Sequence, residues 1–234
     1  MILKAFKPAE IKFELKRMLS ILPLAVFACV LWVVRDTVLG ERLWFSMIWN
    51  MFLAWVPYGF ACLMLIINTH KDSKWWKLSL LPLGALWLLF FPNAPYMLTT
   101  YIHFNFVGFI VEDMIIFGIQ PWYDFVFFTS AILSGVLAGL ASLIIIHKLL
   151  EKYFTKIIAW GAIIIINFLS SWAIYLGRFI RFNSWDIFND PLILLPYIML
   201  SRGRVLFIFL FGVFLFFLYV AVYNFSDYVK REAV

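Results

Sequence analysis

The chain has 234 residues, of which 65% are hydrophobic and 14% charged, with a net charge of +6 and a mean hydropathy of +0.96. Soluble domains run about 45–50% apolar and about 25% charged, and a globule of this size cannot hide so much apolar surface, so a soluble domain is excluded. Cys29 and Cys62 both lie inside apolar runs, which excludes a secreted disulfide scaffold, and 27 Phe, 11 Trp and 10 Tyr exclude disorder. What remains is an all-α polytopic membrane protein.

Residues 1–18 carry five cations among Phe6, Ile11, Phe13 and Leu15, the pattern of an interfacial helix on an anionic leaflet. Six segments can cross roughly 30 Å of hydrocarbon as helices: Leu19–Val34, Trp44–Ile67, Trp75–Tyr96, Phe125–His147, Ile157–Phe179 and Val205–Phe225. The first is short and interrupted by Pro23. Because Phe27-Ala28-Cys29-Val30 offers no clean cleavage site, it reads as a retained span. Residues 19–226 thus form one transmembrane domain, a bundle of about six helices, and residues 227–234 a tail. With both termini cytoplasmic, 13 of the 19 Lys and Arg fall in inner segments and 6 in outer ones, as the positive-inside bias requires. The excess positive charge therefore needs no nucleic acid. All six outer cations are arginines, whereas the inner ones are lysines apart from Arg17 and Arg231. Arginine grips carboxylate or phosphate in a planar, bidentate way, so the outer face is where a site is expected.

The third segment ends Phe91-Pro92-Asn93-Ala94-Pro95-Tyr96. Each proline removes a donor from the helix ladder, and a freed carbonyl at membrane depth needs another partner or a wet cavity. The prolines act either as a plain stop or as the break of a discontinuous helix that builds a polar site. The apolar run beyond them, which carries Tyr96, Thr99, Thr100 and His103 at three- and four-residue spacing, favours the break. The fourth segment opens Pro121-Trp122-Tyr123-Asp124, a favoured helix start, and continues with Phe128, Ala131, Gly135, Ala138 and Ser142 on one face, beside Gly139. That stripe suits close helix packing and points Asp124 at a neighbour, with Arg178 the expected partner. In the fifth segment Asn167, Ser170, Ser171, Tyr175, Arg178 and Arg181 share one side, so a polar seam faces the bundle. Arg178 and Arg181 also fit as snorkelling cations at a helix C-terminus. The run Asn183-Ser184-Trp185-Asp186 follows, as a helix cap or as the outer wall of a site.

At these motifs the chain resembles a family of bacterial integral membrane proteins catalogued as a domain of unknown function, DUF1361. The likeness is carried by Pro92-Asn93-Ala94-Pro95-Tyr96, by Trp122-Tyr123-Asp124, and by Gly177-Arg178-Phe179 running on to Asn183-Ser184-Trp185-Asp186. It spans roughly residues 75–225 and departs at Thr100, where the family is expected to carry an aspartate. The resemblance implies a membrane protein and brings no activity with it.

The candidate site comprises Asn93, Tyr96, Thr99, His103, Asp124, Tyr175, Arg178, Arg181, Asn183 and Asp186. Three functions fit these residue types. The first is binding of an anionic ligand, a phosphate-bearing lipid or a lipid-linked precursor, clamped by Arg178 and Arg181. The second is an accessory role in a membrane complex with a protein partner. The third is lipid-phosphate enzymology, with His103 as acid or base and Asp124 or Asp186 orienting it. No metal or cofactor is expected, because ligand pairs at metal-binding spacing and nucleotide-binding motifs are missing.

Overall fold

The computed structural model describes residues 8–39, 45–68, 76–106, 110–111, 114–115, 119–181 and 201–232. Helix α1 runs Pro8–Leu39, α2 Phe45–Ile67 and α3 Trp76–Phe90; the one-turn α4 (Asn93–Tyr96) leads into a 3-10 helix, Met97–Phe106. Ile110 and Val111 pair antiparallel with Ile115 and Met114, a minimal β1–β2 link. Helices α5 (Ile119–Tyr153), α6 (Lys156–Tyr175) and α7 (Arg202–Glu232) follow, and α6 is extended by a π turn, Leu176–Ile180. Among the described residues, six helical stretches are long and apolar enough to cross a membrane, so the chain has the architecture of a multi-pass membrane protein.

Helix α5 is the hub. Its most apolar stretch is 83% buried, against 17–44% for the other five, and α1, α2, α4, α6 and α7 all pack on it. The small-residue stripe explains how neighbours come so close. A Cβ added to Gly135 would lie 2.9 Å from Ala54 Cβ and 3.1 Å from Met97, and one added to Gly139 would collide with Ala94. The indoles of Trp55 and Trp87 donate to Ser134 (2.9 Å) and Ser142 (3.2 Å) of α5, partners that hydrocarbon cannot supply. The outer helices turn residues such as Phe52, Leu81, Ile165, Phe209 and Phe217 away from the core, as lipid-facing positions allow.

Helix α1 differs from expectation. It is one helix from Pro8 through Pro23 to Leu39, joining the expected interfacial segment and the expected first span, with a membrane-length stretch over Ile11–Thr37. Arg17 and Arg35 look like span ends in sequence because charge usually marks the interface, yet both hold a carboxylate and bond to a neighbouring helix. Arg35 forms a buried ion pair with Asp124, both side chains under 5% exposed, and Tyr123 donates to the Leu31 carbonyl. At the other end Glu14 accepts from Arg17 at 2.8 Å and lies 3.6 Å from Lys148 of α5. Arg17 also donates to Ser226 of α7, and Tyr58 donates to the Glu14 carbonyl. Glu14 and Arg35 are 21 residues apart, about 31 Å along a helix, so α1 is pinned to α5 across a full hydrocarbon thickness.

The seam of α6 does face inward, since Asn167, Ser170 and Ser171 are at most 2% exposed. It is packed and not a wet wall. Asn167 and Ser170 donate to carbonyls one turn back, and Ser171 donates to Ile208 of α7.

Removing one member of a buried pair strands the other charge, whereas replacing both with apolar groups is often tolerated. Arg35→Met and Asp124→Leu are each expected to lower stability by about 3–5 kcal/mol, and the double variant to recover most of that loss. Unfolding in detergent, followed by circular dichroism, checks this.

Candidate functional site

The prolines of the third span break the helix without ending it. Phe91 N–H makes the last regular bond before the break, to Trp87 (2.7 Å). Pro92 has no donor to offer Leu88, and the chain tightens. Ala94 N–H reaches Phe91 (3.1 Å), Tyr96 N–H reaches Pro92 (3.0 Å), and the Asn93 amide donates to the Phe90 carbonyl at 2.9 Å. Asn93 therefore satisfies a carbonyl that the break releases. Phe91, Ala94 and Met97 are buried, with Ala94 seated against Gly139, which holds the turn against α5. Beyond it the 3-10 helix repeats every three residues, so Thr99 sits one turn above Tyr96, and its hydroxyl donates to the Tyr96 carbonyl at 2.7 Å.

Arg178 reaches this segment from the π turn that ends α6. Its Nε and Nη2 both donate to Thr99 Oγ1, at 3.0 and 2.6 Å, which fills the side-on edge of the guanidinium. Its Nη1 lies 3.1 Å from His103 Nε2. Arginine has no acceptor, so Nε2 must accept, leaving the ring proton on Nδ1. The Tyr96 ring backs the guanidinium, with Cζ 4.6 Å from the centroid, a cation–π contact. Three of the five N–H groups are thus engaged, and one remains on each terminal nitrogen.

Tyr96, Thr99, His103 and Arg178 therefore come together. Other expected members do not join them. Asp124 bonds to Arg35 and not to Arg178; helix periodicity gave its face correctly, but the neighbour on that face is α1. Tyr175 stacks on Phe179 (4.7 Å) and meets Phe207 of α7, with Arg204 above its ring. Arg181 is exposed. Asn183 and Asp186 lie outside the described residues. Thr100, at the departure from the family pattern, is buried. Among the described residues, no three His, Cys, Asp or Glu side chains form a metal-sized cluster.

A second polar cluster, at the Glu14 end, was not expected. His147 is fully buried, with Nδ1 2.6 Å from the Tyr219 hydroxyl and Nε2 3.8 Å from Glu151; Trp160 and Tyr223 flank its ring. The sequence signal was present in two same-face pairs, His147 with Glu151 and Tyr219 with Tyr223, each four residues apart.

Residues 49–220 match the family described as Protein of unknown function (DUF1361). The chain belongs to the DUF1361 family. The match contains Tyr96, Thr99, His103, Asp124 and Arg178, while Glu14 and Arg35 of α1 lie outside it. No curated protein and no solved structure matches the chain.

In this DUF1361 chain Thr99 is the principal anchor of Arg178. Thr99→Val keeps the shape but removes the acceptor from two charged donors, and is expected to cost about 1–3 kcal/mol. Thr99→Ser should retain parent stability, as read from thermal unfolding.

Proposed function

We propose that this protein binds an anionic ligand, a phosphate-bearing lipid or lipid-linked molecule, at the Arg178 cluster. One observation carries the reading. Two other arginines, Arg17 and Arg35, each hold a carboxylate. Arg178 is half-buried and oriented by neutral groups, and no carboxylate among the described residues neutralises it. A fixed guanidinium with one N–H left on each terminal nitrogen suits the oxygens of a phosphate. Exposed Ile102 and Phe179 adjoin His103 and Arg178 in the chain, a surface on which an apolar tail can lie. The distribution of lysines supports cytoplasmic termini in the cell membrane, which puts the cluster at the extracytoplasmic side. The enzymatic reading loses one of its two orienting carboxylates, because Asp124 is committed to Arg35.

The test is retention of phosphatidic acid by protein in phosphatidylcholine nanodiscs, read by native mass spectrometry. The parent should retain it, Arg178→Ala should weaken retention about tenfold or more, and Arg178→Lys should restore part of it, since lysine keeps the charge without the fork. Inorganic phosphate at equal concentration should not displace the lipid. Undiminished retention by Arg178→Ala overturns the proposal.

A further inference from the structure

The π turn that carries Arg178 is itself unusual. Helix α6 is α-helical to Tyr175, then closes one wide turn in which the Arg181 N–H bonds to the Leu176 carbonyl, five residues back. The turn ends on Arg181 at φ 63° and ψ 33°, and Arg181 is the one non-glycine residue with positive φ among the described residues. A side chain there crowds its own carbonyl, which is why glycine or asparagine usually occupies such positions. An α-helical register over the same stretch would instead pair the Arg181 N–H with the Gly177 carbonyl and leave residue 181 right-handed. The two registers differ by one residue, or roughly 100° around the helix axis. In the observed register Arg178 is bonded to Thr99 and His103, while Tyr175 stacks on Phe179 and both meet Phe207 edge-on.

We infer that this π turn is a latch for the anion site: the backbone at Arg181 sets whether Arg178 is presented to ligand or swung off the third span. The inference rests on the proposed role of Arg178 and names the device that regulates it. A ligand held by Arg178 in one register draws the segment into that register. Glycine at 181 would lock the latch. Arginine keeps the left-handed state less favourable and the turn reversible. The exposed Arg181 side chain acts through its backbone and not as a second clamp, so Arg181 is a positioning residue.

Backbone and charge separate cleanly in the test. Phosphatidic acid retention in phosphatidylcholine nanodiscs is compared for the parent, Arg181→Gly, Arg181→Asn, Arg181→Val and Arg178→Ala, with the unfolding temperature of each. Gly and Asn both remove the charge but favour the left-handed state, and are expected to tighten binding, Gly by about fivefold. Val removes the charge and resists positive φ, and is expected to weaken binding by a similar factor. Loss of binding in Gly and Asn to the same extent as in Val shows that the charge is what counts, and overturns the latch. Equal binding by all three beside loss in Arg178→Ala also overturns the latch and leaves the anion site standing. Full binding by Arg178→Ala overturns both. Should Val lower the unfolding temperature sharply, tighter binding by Gly and Asn still decides the matter.

Discussion

A polar group inside a bilayer has to find its partner within the protein, and in this chain α5 supplies many of those partners. Its serines accept from Trp55 and Trp87, Asp124 holds Arg35, and Lys148 faces Glu14. Its glycines let the proline turn and α2 approach closely. The buried central helix is therefore the template on which the broken third span is held, and through that span the position of Thr99 and His103 is set.

Much of this was legible in the chain. Span number follows from apolar length alone, and Pro92 with Pro95 marked the break because the missing donors are a local property of the sequence. Periodicity on α5 and α6 gave the correct inward faces, as Gly135, Gly139, Asn167 and Ser171 show. Partner choice was not legible. A helical wheel states which side a residue occupies and is silent on which helix lies there, so Asp124 was matched to Arg178 when Arg35 was the true neighbour. Charge as a marker of the interface failed on α1 for the same reason. Arg17 and Arg35 sit on a membrane-length helix because Glu14 one turn back receives the first and Asp124 of α5 receives the second. The π turn was invisible, since no residue at 176–181 announces an extra residue in the ladder and Arg181 is a poor candidate for a left-handed cap.

The arginines divide according to what surrounds them. Arg17 and Arg35 are neutralised at close range and act as fasteners between helices. Arg178 is steadied by a hydroxyl, an imidazole and a ring face, which orient a cation without cancelling its charge. Preorganisation of this kind lowers the ordering cost of recognition. Tyr175, Phe179 and Phe207 pack together against the same π turn.

The α1–α5 pairing also has a consequence for how the chain is made. Arg35 precedes Asp124 by 89 residues, so at ribosomal speeds α1 is synthesised roughly 5–20 s before its counter-charge exists. During that interval Glu14 and Arg17 can already pair within α1, whereas Arg35 still lacks Asp124. The Arg35 end of α1 can therefore be fastened only after the central helix has been made.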